Sequence, residues 1–377
     1  MTTHYLDYAA TAPVLPQAAK AVGEALANFY NPSSQYGPAL EAGKALEEHR
    51  RTLAAALGCQ IEEVFFTSGG TEGDNWAAHW ALQKKRGHII TTAIEHPAVL
   101  EGMKDLAQKG FEVTFLPVDG NGRISIEDFK AALREDTVLC SIMLVNNELG
   151  SIQPVAECCQ IAKAYKKDIF FHTDAVQGFL KLPFTARDLG VDSLAVSGHK
   201  IGAPKGIGAF YLKKGSKLKP MLLGGGQERG MRSGTESTTL IAALAAATRQ
   251  GMDTQKAELE RLTGLRDYAA GKLKDTLPEL QVISPPDACP HILAVSLPGY
   301  KSEVVVRFLS DRGVYISSGS ACHKGKLSHV YSALGLPKPW LIGALRISFG
   351  PDSDQEDVDA LVQALTEAKA MLFTTLS

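Results

Sequence analysis

From Val64 to Leu212 the hydrophobic pattern alternates between two periods. Compact apolar runs of strand length lie at Val64–Phe66, His88–Ala93, Glu112–Pro117, Val138–Val145, Ile169–Thr173, Ser193–Val196 and Ile207–Leu212. Between the earlier ones, apolar residues recur at helical spacing over Thr71–Lys84, Ala98–Gln108, Ile126–Leu133 and Val155–Tyr165. This predicts an α/β fold, a mostly parallel sheet flanked by helices on both faces. Upstream, residues 1–11 read as an extended arm, and Pro16–Asn28 and Pro38–Leu57 as helices. The second has Pro near its start and Gly58 just past its end, the usual asymmetry. Downstream, Glu236–Leu277 is a long helical stretch with breaks expected near Gly251 and Gly264. It leads to a smaller α+β unit: strand Ile292–Leu297, helix Ser302–Arg312, strands Val314–Ser317 and Leu345–Phe349, and terminal helix Asp354–Leu372. The expected division is a large domain, 12–250, and a small one made of 1–11 and 251–377.

Composition narrows the class. The 377 residues are 45% hydrophobic and 21% charged, enough for two domains with separate cores. A net charge of −2 gives no reason to expect a nucleic-acid or anionic-membrane partner. Lys213, Lys214, Lys217 and Lys219 are interrupted by Gly and read as a solvated loop. No apolar run approaches the ~20 residues of a membrane helix, and Leu240–Ala247 reads as a buried helix segment. The N-terminus lacks a basic region followed by an apolar core, so a cytoplasmic protein is expected. The six cysteines contain no C-x-x-C pair, which removes support for zinc or thioredoxin-like chemistry. Cys140, Cys158 and Cys159 lie in strand-like or helical runs and read as small buried hydrophobes.

Three segments carry candidate chemistry. Ser197-Gly198-His199-Lys200 ends the apolar run Ser193–Val196 and presents a lysine at the mouth of a buried strand. There an amine is easier to deprotonate and able to form a Schiff base with an aldehyde. Ile169–Gln177 is a second buried strand, ending in Asp174. Phe65–Glu72 passes from a strand through Gly69-Gly70-Thr71 into a helix, whose N-terminus suits a phosphate. A phosphate seat, a buried acid and a lysine in chain order suit pyridoxal phosphate. Two have ordinary alternatives: a capped strand-to-helix turn and a surface lysine. His172 with Asp174 would begin a metal site, but no third ligand is near, and no metal is expected. Arg346, between apolar neighbours, needs a partner, either a structural carboxylate or a substrate carboxylate. Cys322 follows the small-residue run Ser317–Ala321 and has His323, Lys324, Lys326 and His329 close by, a setting that favours thiolate.

These segments, with Tyr5–Thr11, Ser68–Asn75, Glu95-His96, Val145–Glu148, Asp174–Gln177, Gly230–Thr235, Ser317–Cys322 and Leu345–Ser348, resemble a cysteine desulfurase of the NifS/IscS type nearly end to end. The resemblance implies a fold-type-I pyridoxal-phosphate transferase acting as a homodimer with composite sites. It implies Gly70, Thr71, Ser197 and His199 at the cofactor phosphate, joined by Thr235 of the neighbouring subunit. It implies His96 over the cofactor ring, moving protons, Asp174 on the ring nitrogen and Gln177 on the phenolic oxygen. Asn147 and Arg346 would meet the substrate carboxylate, with Asn147 also near the cofactor. Lys200 would hold the aldehyde and remove the α-proton of L-cysteine. Cys322 would take the sulfur as a persulfide and pass it to an acceptor protein, with L-alanine leaving.

The segment His323–His329 departs from the serine- and glutamate-containing version of housekeeping members and is slightly shorter, which leaves the acceptor open between iron–sulfur cluster assembly and tRNA or cofactor thiolation. Gly73 stands where a serine is familiar, with little effect expected. The chain ends after its terminal helix without the longer tail some members carry. Two other readings compete: a selenocysteine lyase or C–S lyase on the same scaffold, and a catalytically silent binding or scaffold homologue.

Overall fold

The computed structural model describes residues 2–319 and 327–374. Its strands are β1 (His4–Tyr5), β2 (Val64–Thr67), β3 (His88–Thr92), β4 (Glu112–Leu116), β5 (Thr137–Ser141), β6 (Phe170–Asp174), β7 (Ser193–Ser197), β8 (Gly208–Leu212), β9 (Gln281–Val282), β10 (Ile292–Ser296), β11 (Val314–Tyr315), β12 (Ser317–Ser318) and β13 (Ala344–Ser348). Seven form the large sheet, in the order β2-β8-β7-β6-β5-β3-β4. Only β8 runs antiparallel to its neighbours. The sheet is thus the mostly parallel one expected.

Its strands are apolar on both faces because helices cover both. Successive residues point to opposite sides. Phe65, Ile89, Leu139, Phe170 and Phe210 pack with Trp76 and Trp80 of the helix Gly70–Lys84. Phe66, Ile90, Cys140 and Phe171 face the helices Gly37–Leu57 and Val155–Tyr165 on the other side. Trp76 stacks on Phe210 and Trp80 on Phe170, each with ring centroids 4.8 Å apart. Both indole N–H groups find backbone carbonyls, those of Lys219 and Val138.

The four-stranded sheet β12-β13-β10-β9 is antiparallel and forms a second core with the helices Thr238–Thr276 and Gln355–Met371. The helix Thr238–Thr276 serves both cores. Ile241–Ala247 packs into the large unit, and Leu262, Leu265, Ala269 and Leu273 into the small one. It is unbroken at Gly251 and Gly264, contrary to expectation. Gly251 is there for space: a Cβ would lie 2.6 Å from Leu180 Cδ1.

Two other expectations change. The run Val138–Val145 is regular strand only to Ser141; Ile142 and Leu144 still donate to the carbonyls of His172 and Asp174, and Asn146 Oδ1 then accepts from the backbone N–H groups of Glu148 and Leu149 and turns the chain. Val314–Ser317 is not one strand. β11 pairs with the N-terminal arm β1, and β12 pairs with β13 after buried Ile316 carries the chain across.

Candidate active site

The ends of β6 and β7, the N-terminus of the helix Gly70–Lys84 and the near edge of β13 enclose a cavity of about 420 Å³. Gly70, Thr71, His96, Asn147, Asp174, Gln177, Ser197, His199, Lys200 and Arg346 all line it. Thr235 does not. It lies on the exposed segment after Met221, beside Leu222, Leu223 and Ser233. That segment is tied to the core by Glu228, whose carboxylate pairs bidentately with buried Arg50 at 2.6 and 2.9 Å and accepts from Phe66 N. Cys322 lies outside the described residues.

Lys200 follows β7 by one turn. Its Nζ donates to the carbonyls of Ala9 at 2.6 Å and Ala10 at 2.7 Å, which the N-terminal arm brings over the cavity. Burial, helped by the positive charge of Arg346, pulls the amine down to about 8. A substantial fraction is therefore neutral and nucleophilic near neutral pH.

Asp174 ends β6, and its Oδ1 accepts from Val176 N at 2.9 Å. Burial raises its carboxyl, with His96 and Lys200 opposing. Two more buried acids stand near it. Asp74 is raised by burial and by Asp174, and Glu95 is pushed up by burial to about 8. Asp74 meets His172 Nε2 at 3.1 Å, and His172 Nδ1 meets Ser193 Oγ at 2.9 Å. Burial drives that imidazole down to about 3, so it is neutral. The sequence reading assigned no role to Asp74 or Glu95. The available signal was the two-residue spacing of His172 and Asp174, which puts both on one face of β6.

His96 caps the helix Pro97–Gln108: its Nδ1 accepts from Ala98 N at 3.1 Å. Nε2 therefore carries the proton. Burial lowers this imidazole, with Asp174 pulling the other way. His199 Nδ1 meets Thr11 Oγ1 at 3.1 Å, and burial lowers this ring to about 4.

Arg346 crosses from the small sheet. Its Nη2 donates to Asp7 Oδ1 at 2.8 Å and Ser317 Oγ at 3.0 Å, and Nη1 to Asn147 O at 3.0 Å. Nε is buried and has no hydrogen-bond partner among the described residues. The structural-carboxylate alternative is thus realised, by Asp7, and among the described residues two of the five guanidinium N–H groups, on Nε and Nη1, are not used by these bonds. Two further residues line the cavity: Glu148, to which no role was assigned, and His329, expected only as a basic neighbour of Cys322. Glu148 Oε2 accepts from Ser328 Oγ at 2.6 Å, and burial raises its carboxyl to about 7. His329 Nε2 donates to Glu95 O at 2.9 Å.

The cavity fits pyridoxal phosphate by its donor set. Gly70 opens the helix N-terminus, and a Cβ there would lie 2.6 Å from Val176 Cγ2, beside Asp174. Glycine here lets the start of this helix pack directly against Val176, with its first free N–H groups at the cavity. Three buried carboxyls suit a cationic ring nitrogen, and a lysine of lowered basicity suits an aldehyde. Among the described residues no group of three or more His, Cys, Asp and Glu side chains is arranged to hold a metal ion. No described helix is long and apolar enough to cross a membrane. Burial pushes the thiols of Cys59, Cys158, Cys159 and Cys289 up to about 12, and Cys140 higher than its usual range, so none of these five is a ready nucleophile.

An open-edged, doubly covered sheet with a lysine, an acid and a helix N-terminus at its strand ends suits an enzyme that holds an aldehyde cofactor on its lysine. The chain belongs to the aminotransferase class-V family, a family of pyridoxal-phosphate enzymes, whose profile matches residues 4–361. The cysteine desulfurase IscS of Clostridium botulinum is 39% identical over 370 residues, covering 96% of this chain and 93% of that protein. A solved NifS-like protein superposes with a TM-score of 0.93 at 35% identity, covering 98% of this chain and all of its own. A solved SspA in complex with cysteine superposes at 0.80, also 35% identical, covering 93% of this chain and 99% of that one.

Proposed function

We propose that this chain is a pyridoxal-phosphate-dependent cysteine desulfurase. It would convert L-cysteine to L-alanine and pass the sulfur, through a persulfide on Cys322, to an acceptor protein. The observation that carries the proposal is the meeting of Lys200, Asp174 and Arg346 in one cavity with a helix N-terminus. Near-complete coverage of cysteine desulfurases at 39% identity supports it.

Bound pyridoxal phosphate supplies the electron sink that makes the Cα–H of an amino acid acidic. The chain's own residues do the rest. The N–H groups and hydroxyl of Gly70–Thr71, with Ser197 and His199, receive the phosphate. Asp174 would hold a proton on the ring nitrogen, and Gln177 would donate to the phenolic oxygen. His96, with Nδ1 occupied, would offer Nε2–H as the proton to move. Arg346 and Asn147 bind the substrate carboxylate. Lys200, whose amine is pulled down to about 8, takes the Cα proton.

The Cys322 thiolate attacks the substrate sulfur. The new S–S bond forms as the Cβ–S bond breaks. Cβ and Cα are then reprotonated, L-alanine leaves, and Cys322 carries the terminal sulfur. A second copy of the chain would bring Thr235 to the phosphate, making a homodimer with composite sites. Its exposure, outside the cavity of its own chain, supports this. We also assign residues 12–250 to a large domain, 1–11 and 251–377 to a small one, and the protein to the cytoplasm. The two separate cores support the division.

The test is alanine formation from L-cysteine, with and without a reductant, in wild type and Cys322→Ala. Reductant-dependent turnover, lost in the variant while the bound cofactor keeps its yellow colour, is expected. Turnover that survives Cys322→Ala would overturn the persulfide route and favour a C–S or selenocysteine lyase. A protein that takes up no cofactor would return it to the binding-protein reading.

A further inference from the structure

Gln177 has an amide held from two sides. Its Nε2 donates to Ala9 O at 2.9 Å, and its Oε1 faces His291 Nε2 at 3.0 Å. His291 Nδ1 in turn faces Cys289 Sγ at 3.1 Å. All three side chains are buried, with Gln177 6%, His291 2% and Cys289 0% exposed.

The direction of every hydrogen bond follows from one fixed acceptor. A backbone carbonyl only accepts, so the Gln177 atom facing Ala9 is the amino nitrogen. The other amide atom is then the oxygen, and the His291 nitrogen facing it carries a proton. Burial and the positive charges of Lys181, Arg346 and Lys200 hold His291 neutral. A neutral imidazole has one proton, so Nδ1 is bare and accepts the Cys289 S–H. One hydrogen of the Gln177 amino group is left, and Gln177 lines the cavity.

His291 sits just before β10, on the small-sheet side, whereas Gln177 follows β6 of the large sheet. The chain of hydrogen bonds therefore joins the two cores across the back of the site.

We propose that His291 is a positioning residue: through its Nε2–H it locks the Gln177 amide so that an N–H, and not a carbonyl oxygen, faces the cofactor position. This rests on the pyridoxal-phosphate reading above, in which that N–H donates to the phenolic oxygen. Ala9 O still favours the amino nitrogen, but without His291 the amide loses the second of its two restraints, and the half-turned amide, which presents oxygen to oxygen, becomes less costly by that hydrogen bond. That arrangement is tolerable only if the phenol keeps its proton, so the lock favours the ionised phenolic oxygen.

Two measurements test it. Nitrogen-15 NMR of histidine-labelled protein, assigned with His291→Gln, reads the His291 tautomer with no cofactor present. The expected result is protonated Nε2 and bare Nδ1 throughout pH 6 to 9. A protonated Nδ1 or a cationic ring would overturn the proposal. The second measurement is the pH midpoint of the visible colour change of the cofactor-loaded protein. His291→Leu should raise that midpoint by about one pH unit, the size of one hydrogen bond. His291→Gln, which keeps a donor near the Nε2 position, should return it to within a few tenths. An unchanged midpoint in folded His291→Leu would overturn the lock. If the wild type takes up no pyridoxal phosphate, the proposed function fails and the tautomer alone decides the orientation of Gln177.

Discussion

Asp174 and Lys200 stand at the ends of neighbouring strands, and the backbone of those strand ends sets where they start, although the Lys200 amine also reaches the arm carbonyls of Ala9 and Ala10. Asp174 is held by Val176 N, and Ser197, His199 and Lys200 follow β7 directly. Arg346, on the opposite wall, is held by Asp7, Ser317 and the carbonyl of Asn147, which are 339, 29 and 199 residues away. Glu148 and Ser328, 180 residues apart, and His329 and Glu95, 234 apart, make further ties of this kind. The placement of one wall is therefore mainly a property of strand ends in a doubly covered sheet, with the arm touching only its lysine and histidine tips. The other exists only when the arm, the large unit and the small sheet are docked together. Damage to the first wall should remove chemistry and leave the fold. Damage to the second should change both substrate binding and stability.

The largest expected effect is on the first wall. Lys200→Ala should lower kcat for alanine formation by about 10⁴-fold or to background. The thermal midpoint of the cofactor-free protein should stay level or rise, since a desolvated amine has been removed. A large drop in that midpoint would contradict the comparison.

Arg346→Lys tests the second wall. A lysine keeps the charge but loses the fork that serves Asp7, Ser317 and Asn147 together. The KM for L-cysteine should rise about 10- to 100-fold, together with a lower melting temperature. A pure kcat effect at unchanged KM would place Arg346 outside carboxylate binding.

Asp7→Asn should destabilise the cofactor-free protein by about 1–3 kcal/mol in urea unfolding. Arg346, 8% exposed, is then left without its charged partner. Unchanged stability would mean that the arm does not depend on this pair.

Glu148→Gln gives the smallest effect, and one that depends on pH. The folded carboxyl is raised to about 7, above its unfolded value. Its contribution is thus most favourable below the unfolded value and is lost as pH rises through about 7. The variant should match wild type near pH 4 and gain a few degrees on it at pH 8. A gain that grows toward acid pH would reverse the assignment.

The legibility of the site follows the same division. Lys200, Asp174 and the turn at Gly69–Thr71 stood out because each ends an apolar run of strand length, and open α/β sheets bind ligands there. Cys322 was singled out from its small and basic neighbours, and lies outside the described residues. Arg346 drew attention as a charge in an apolar run, but its partner did not. Asp7 carries no mark of pairing with a residue near the other end of the chain. The Asp74–His172 and Gln177–His291 contacts were hidden for the same reason, as they join residues 98 and 114 apart. The unbroken helix at Gly251 depended on Leu180, again a distant neighbour.

Local information in the chain determined the alternation of strand and helix, the class of sheet and the identity of the strand-end groups. Backbone period and side-chain chemistry act over a few residues, so both are written locally. Tertiary structure alone decided the charge state and orientation of those groups. Burial set how far Lys200, Glu95 and Glu148 move from their usual ranges, and chain-distant partners set which way Gln177 and Arg346 face. Desolvation and hydrogen-bond direction are properties of a packed neighbourhood, and no stretch of sequence contains one by itself.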